Sequence, residues 1–228
     1  FSGGPLEASV VVSNPLCNGD FGSAEIVVSG GSSPFSIDDL SELSAGSYTT
    51  IVTDFNGCSI TLDFEIIEPE ILSASILTSD ALCFGDFGSA EVSVLGGTSP
   101  YTLEDLSQLT AGLYTTIILD SNGCSTSVDF QIEEPSQLEL ISTISDYNGY
   151  AISCNGEDDG FINISTTGGT GDYIYVWSSS TIEEISSQGL GTNTGSISNL
   201  ESGTYYLTTV DSNGCSIETE FIINEPTE

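Results

Sequence analysis

Two cysteines recur at matching places in each of three copies of one sequence unit, so whatever folds here must fold three times. Cys17-Asn18-Gly19-Asp20-Phe21-Gly22-Ser23-Ala24-Glu25 returns as Cys83-Phe84-Gly85-Asp86-Phe87-Gly88-Ser89-Ala90-Glu91. Asp54-Phe55-Asn56-Gly57-Cys58 returns as Asp120-Ser121-Asn122-Gly123-Cys124. A looser third copy runs from Cys154-Asn155-Gly156 to Asp211-Ser212-Asn213-Gly214-Cys215, and each copy closes on Glu-Pro: Glu68-Pro69, Glu134-Pro135 and Glu225-Pro226. Between Cys17–Pro69 and Cys83–Pro135 about 33 of 53 positions are identical, and a period of this length marks a modular array. The module boundaries read as 1–69, 70–135 and 136–228.

Each module is read as all-β. Leu6, Ala8, Val10 and Val12 alternate with Glu7, Ser9 and Val11, and Ala24, Ile26 and Val28 alternate with Ser23, Glu25 and Val27. A short strand is expected over 34–37, a longer one over 48–54 and a last one over 59–67. Asn56-Gly57 predicts a type I′ hairpin turn, since both residues tolerate positive φ. Leu-x-x-Gly-x-Tyr occurs at Leu43/Gly46/Tyr48, Leu109/Gly112/Tyr114 and Leu200/Gly203/Tyr205. A tyrosine at the start of a penultimate sandwich strand folds its hydroxyl back onto the backbone as a tyrosine corner. The fold expected is a tandem array of small immunoglobulin-like β-sandwiches, one disulfide each. The third module is longer: Gly169–Gly203 replaces the short Gly31–Gly46 and Gly97–Gly112. The extra residues include Tyr173–Trp177, a polar run through Thr194 and Ser196–Ser198, which predicts added strands and a fuller sandwich.

Six cysteines allow 15 pairings. The repeat favours the set that treats each module alike, Cys17–Cys58, Cys83–Cys124 and Cys154–Cys215. Zinc is the competing use, but with no His and no Cys-x-x-Cys two thiolates per module do not complete a tetrahedral site. Disulfides imply an oxidising, extracellular compartment.

The chain contains no Lys, Arg or His and 34 acidic residues, for a net charge of -34. Nucleic acid is excluded as a partner, because phosphate contacts rely on Lys and Arg. Direct membrane insertion is not expected either, for no apolar run reaches the ~18 residues of a spanning helix. Self-repulsion of one sign favours solubility and separated modules. The start at Phe1 and the lack of Met read as a fragment or processed product.

In these motifs the chain resembles the SprB repeat family. The Cys-x-Gly start, Gly96-Gly97-Thr98-Ser99-Pro100-Tyr101, the three Leu/Gly/Tyr sets, the Asp-x-Asn-Gly-Cys turns and the closing Glu-Pro pairs carry the likeness, which covers nearly the whole chain. The third copy departs at Gly168-Gly169-Thr170-Gly171-Asp172-Tyr173, which lacks the proline. The resemblance implies very long surface polypeptides of gliding bacteria of the Bacteroidetes type, exported by a type IX system and carried along the cell as a motility adhesin filament. Its implied partners are the cell-surface motility or secretion machinery and external surfaces or polysaccharide.

Catalysis finds few candidates. Without His or Lys the Ser-His-Asp, Cys-His and Ser-Lys arrangements are not available, and among 34 carboxylates a close pair means little. No catalytic residue is expected. Calcium is the stronger chemistry: oxygen-rich loops place Asp20, Asp86 and Asp158 near each first cysteine, and Asp54, Asp120 and Asp211 near each second one, with plain turn formation and solvated acidic loops as the blander use. An in-module bridge would bring the two sets together. Tyr173, Tyr175 and Trp177 alternate on one strand and are candidates for a sugar-stacking surface, with core packing as the plainer use of such residues. The expected function is a repeat segment of an extracellular, cell-surface adhesin filament, acting as extended spacer and contact region. The alternatives are a polysaccharide-binding module in the third repeat, or stalk domains of a secreted enzyme.

Overall fold

In the computed structural model, which describes residues 4–179 and 195–228, the period-two alternation becomes fourteen β-strands among the described residues. The first copy contributes β1 (Glu7–Ser13), β2 (Ser23–Ser29), β3 (Gly46–Thr53) and β4 (Ser59–Ile66). β1 pairs antiparallel with β2 and β3 with β4, placing Val10 opposite Ile26 and Thr50 opposite Leu62. Alternate side chains turn inward because successive residues of a strand face opposite sides. Val52 and Ile66 are thereby fully buried while Ile51 stays exposed. The second copy repeats the scheme with β5 (Ser73–Ser79), β6 (Ser89–Leu95), β7 (Gly112–Leu119) and β8 (Ser125–Ile132), paired β5-β6 and β7-β8.

The third copy is the fuller sandwich that its length predicts. β9 (Glu139–Ile144), β10 (Gly160–Thr167) and β12 (Ser196–Leu200) form one sheet in the order β12-β10-β9. β11 (Ile174–Ser179), β13 (Gly203–Val210) and β14 (Ser216–Ile223) form the other in the order β11-β13-β14. The two added strands, β11 and β12, occupy places that the smaller copies mark with single bridges. Where β12 lies along β10, the first copy has only Gly22 bridged to Leu43; where β11 lies along β13, it has only Ser36 bridged to Thr53. The strand expected over 34–37 is therefore one bridge, because its segment has too few residues to build a ladder. The polar run through Thr194 lies outside the described residues, as do residues 1–3.

Two-sheet packing of immunoglobulin type is closed by the tyrosine corner. Tyr48 donates its hydroxyl proton to the Ser44 carbonyl at 2.9 Å, and Tyr205 to the Glu201 carbonyl at 3.0 Å. Tyr48 also stacks on Phe64 and Tyr114 on Phe130, with ring centroids 5.6 and 5.4 Å apart. A continuous core fills the third copy, where Ile152, Ile162, Trp177, Tyr205, Leu207, Phe221 and Ile223 pack together. Ile162 has no exposed surface. Ile162→Ala should destabilise this copy by about 2–5 kcal/mol, the loss of burial plus the cavity left behind. Urea denaturation followed by Trp177 fluorescence measures it, and a loss below about 1 kcal/mol would mean the site collapses around the change.

Compact units do not follow the sequence period. One comprises Phe1–Leu77, Glu91–Asp105 and Tyr114–Phe130, and the other Thr78–Ala90, Leu106–Leu113 and Gln131–Glu228. Each therefore contains one outer copy and part of the middle one, which bears directly on how the cysteines pair.

Candidate functional site: half-cystine loops and turns

Every copy presents its two cysteines on two local structures. The second cysteine ends the hairpin turn between the last two strands. Asp54 N–H donates to the Cys58 carbonyl at 2.9 Å and Gly57 N–H to the Asp54 carbonyl at 3.0 Å. Gly57 has φ +82° whereas Asn56 is not among the residues of positive φ, so the turn is not the type I′ expected from Asn-Gly. Asp54 explains the difference. Its carboxylate accepts Asn56 N–H and Cys58 N–H, both at 2.9 Å, and Ser32 N–H at 3.1 Å, a set that holds the chain in an Asx-type turn. Asp120 accepts the same N–H groups from Asn122, Cys124 and Thr98, and Asp211 those of Asn213, Cys215 and Thr170, all between 2.8 and 2.9 Å.

These aspartates are nearly buried, with 5% of Asp120 and 3% of Asp211 exposed. Burial pushes their carboxyls up, but the converging backbone N–H groups outweigh it and hold both below the ordinary carboxylate value. A depressed folded value means that the stabilisation is present in full above the ordinary value near pH 4 and lost as pH falls toward the depressed one. Protonating the other acidic groups relieves self-repulsion and acts in the opposite direction, so the absolute melting temperature is a poor readout. The melting-temperature gap between the parent and Asp120→Asn should be widest at pH 7 and should narrow as pH falls below the ordinary carboxylate value near 4. A gap that widens on acidification would refute this role.

The first cysteine opens a short loop that the closing Glu-Pro holds in place. Gly19 N–H donates to Glu68 Oε2 at 2.8 Å, Gly85 N–H to Glu134 Oε2 at 2.7 Å and Gly156 N–H to Glu225 Oε2 at 2.7 Å. Asn18 and Asn155 add bonds from their side-chain amides to the Pro69 and Pro226 carbonyls. The Gly156 N–H and the Ser202 hydroxyl keep the Glu225 carboxyl below its ordinary value. In the sequence Glu68, Glu134 and Glu225 stand only as the closing Glu-Pro of each copy. Their co-occurrence with Cys-x-Gly in all three copies was the signal that they clasp it.

The bridges correct the expected pairing. Cys17 is joined to Cys124 and Cys83 to Cys215, each with Cα atoms 5.6 Å apart, while Cys58 and Cys154 are unpaired and exposed. The in-module set Cys17–Cys58, Cys83–Cys124 and Cys154–Cys215 does not form. The first cysteine of one copy instead meets the second cysteine of the next. Further bonds attend each junction: Asn122 and Asn213 donate their side-chain amides to the Leu16 and Leu82 carbonyls at 3.2 and 3.0 Å. Each bonded pair lies within one compact unit.

The same shift removes the bridge expected to gather the calcium ligands, since no in-module cystine draws Asp20 to Asp54, Asp86 to Asp120 or Asp158 to Asp211. Asp20, Asp86 and Asp158 are exposed, and the carboxylates of Asp54, Asp120 and Asp211 are engaged by backbone N–H groups. Among the described residues no three acidic or cysteine side chains converge as metal ligands. The expected sugar platform is also corrected. Trp177 is buried in the core against Phe221, with ring centroids 5.7 Å apart. Tyr173 donates its hydroxyl proton to the Gly168 carbonyl at 2.6 Å, as Tyr101 does to Gly96, and Tyr175 to Thr166 Oγ1 at 3.0 Å. The outward residues of β11 are Ile174, Val176 and Ser178. Alternation on a strand puts the aromatics on one face, and that face is the inner one.

No curated protein matches the chain. Among solved structures, it is similar to the N-terminal eight Ig domains of Down Syndrome Cell Adhesion Molecule, at 9% identity and a TM-score of 0.38, covering 97% of this chain and 48% of that one. It is also similar to extracellular domains 3-5 of Drosophila OTK, at 13% identity and a TM-score of 0.33, covering 99% and 93%. The chain thus spans about half the length of the first and nearly all of the second. Among the described residues no helix is long and apolar enough to cross a membrane. Residues 152–181 match the model of the SprB repeat. The third of the cystine-joined modules contains the stretch that matches the SprB repeat, and this match supports an extracellular, adhesin-type repeat region.

Proposed function

We propose that these modules form part of the shaft of a cell-surface adhesin filament, a gliding-motility adhesin delivered by type IX secretion, in which they act as spacer and contact surface. The observation that carries the reading is the stagger of the disulfides. Cystines inside each module would leave the links between modules to the backbone alone. Cystines from one copy to the next join the copies covalently a second time, which suits a strand that transmits pull between a cell and a surface. The SprB match supports the motility assignment, and the absence of Lys and Arg supports a long exposed stalk, because it leaves a trypsin-like protease no site. The reading assigns no catalytic residue. Its partners are the surface motility machinery and whatever external surface or polysaccharide the filament grips.

Live-cell imaging with a labelled Fab raised against residues 1–135 tests it. Label that travels along the cell body is the expected result. Label that stays fixed would reduce the assignment to a static adhesin or stalk, and absence of surface label would overturn it.

A further inference from the structure

Cys58 and Cys154 are unpaired, but each sits in the local structure that its bridged counterparts have. The turn carrying Cys58 has the Asp54 carboxylate on Asn56 N–H and Cys58 N–H at 2.9 Å, as the turns carrying Cys124 and Cys215 do with Asp120 and Asp211. The loop carrying Cys154 has Glu157 N–H on the Cys154 carbonyl and Gly156 N–H on Glu225. The loops carrying Cys17 and Cys83 have the same two bonds, with Asp20 and Glu68 or with Asp86 and Glu134. One side of the junction is thus preformed at each open cysteine. What the bridged junctions have in addition is a neighbour. Asn122 reaches Thr98 Oγ1 in its own copy and the Leu16 carbonyl in the preceding one; Asn56 reaches Ser32 Oγ in its own copy, and among the described residues the second acceptor has no counterpart. Phe55, 73% exposed beside this turn, adds apolar surface where Ser121 and Ser212 stand at the closed junctions.

We infer that Cys58 and Cys154 are coupling cysteines, each built to take the complementary half-cystine of a further module of this same repeat. Cys58 takes the first cysteine of a module on one side, and Cys154 takes the second cysteine of a module on the other. The rule is the one seen twice within the chain, moved along by one copy. It stands independently of the motility reading, because it rests on the two formed junctions alone. A second copy of this chain carries both complements, so Cys154 of one molecule couples to Cys58 of the next, head to tail. The bond forms by thiol–disulfide exchange. Two thiols are oxidised to one cystine while an external disulfide such as oxidised glutathione is reduced to two thiols, so sulfur, protons and electrons balance.

The test uses the whole chain in two variants, Cys58→Ser and Cys154→Ser, which leave Cys17–Cys124 and Cys83–Cys215 untouched. One is made heavier with a tag, and the two are mixed in a glutathione redox buffer. Salt is raised to about 0.5 M so that screening shortens the reach of the repulsion between acidic chains. Net charge is equal in all pairings and cancels from the comparison. Random coupling of two such thiols gives a mixed dimer at about twice each like dimer; docking of complementary halves should give about tenfold or more, read on non-reducing gels. Mass spectrometry of the mixed dimer should show Cys154 joined to Cys58. A mixed dimer at the random ratio, no disulfide-linked dimer at all, or a Cys58–Cys154 bond inside one parent molecule would each overturn the inference.

Discussion

Reducing both disulfides should let the stretch between Cys17 and Cys215 extend about four- to fivefold further under force. With the bridges intact, the shortest covalent path crosses from Cys17 to Cys124, runs back along the backbone to Cys83 and crosses to Cys215. That path holds about 41 residues, against about 198 for the reduced chain, so with the two bridges included the limits of extension are about 150 and about 670 Å at roughly 3.4 Å per residue. Single-molecule pulling from handles at the two ends, with and without a reductant, reads the difference. Equal extension in both conditions would show that the bridges do not lie in the load path. The same bridges close loops spanning 107 and 132 residues. Each taken alone accounts for about 5 kcal/mol on the chain-entropy estimate, a large share of the stability of modules this small. The pairing itself is checked by peptide mapping without reduction, in which a fragment bearing Cys17 should be joined to one bearing Cys124. The protease has to cut at Asp or Glu, since the chain has no Lys or Arg.

Gly96→Ala and Gly168→Ala should be the most damaging single substitutions outside the core. Each glycine begins the Gly-Gly turn after the second strand of its copy, with φ +69° and +77°. A methyl group there would fall inside the Ile71 carbonyl oxygen at Gly96 and the Gln137 carbonyl oxygen at Gly168. Backbone oxygens cannot rotate aside as a side chain can. The next residues, Gly97 and Gly169, donate their N–H groups to the Glu70 and Ser136 carbonyls at 2.9 and 2.8 Å, so the turn is tied to the start of its own copy. We expect losses of more than about 3 kcal/mol, from backbone strain and clash together. Gly123→Ala is the internal control. Its φ is +87° but nothing lies within 4 Å of the added methyl, so only the left-handed backbone counts against it, at about 1–2 kcal/mol. Chemical denaturation of the three variants separates the terms, and equal losses would show that the close approach contributes nothing.

The strands were legible because hydrophobic alternation reports burial directly. The expected spans 6–12, 23–28 and 59–67 lie within a residue of β1, β2 and β4. The tyrosine corner was legible because the motif carries its own geometry in Leu-x-x-Gly-x-Tyr. Polar groups were harder to read, since an aspartate on a turn is written the same way whether it holds a cation or a backbone. Asp54, Asp120 and Asp211 differ from free carboxylates only in the N–H groups folded around them. For Tyr173, Tyr175 and Trp177 the alternation established a shared face but not which face. The sheet against which β11 packs decided that.

The cysteines mark the limit most clearly. Sequence alone determined that the chain is a tandem array of β-modules, that each carries two half-cystines in equivalent settings, and that one pairing rule must serve all of them. Bonding within a copy obeys such a rule, and so does bonding that steps every pair along by one copy. Repetition is blind to the difference. Only the tertiary structure decided it, by bringing Cys17 to Cys124 and Cys83 to Cys215 with Cα atoms 5.6 Å apart, a separation that a disulfide spans.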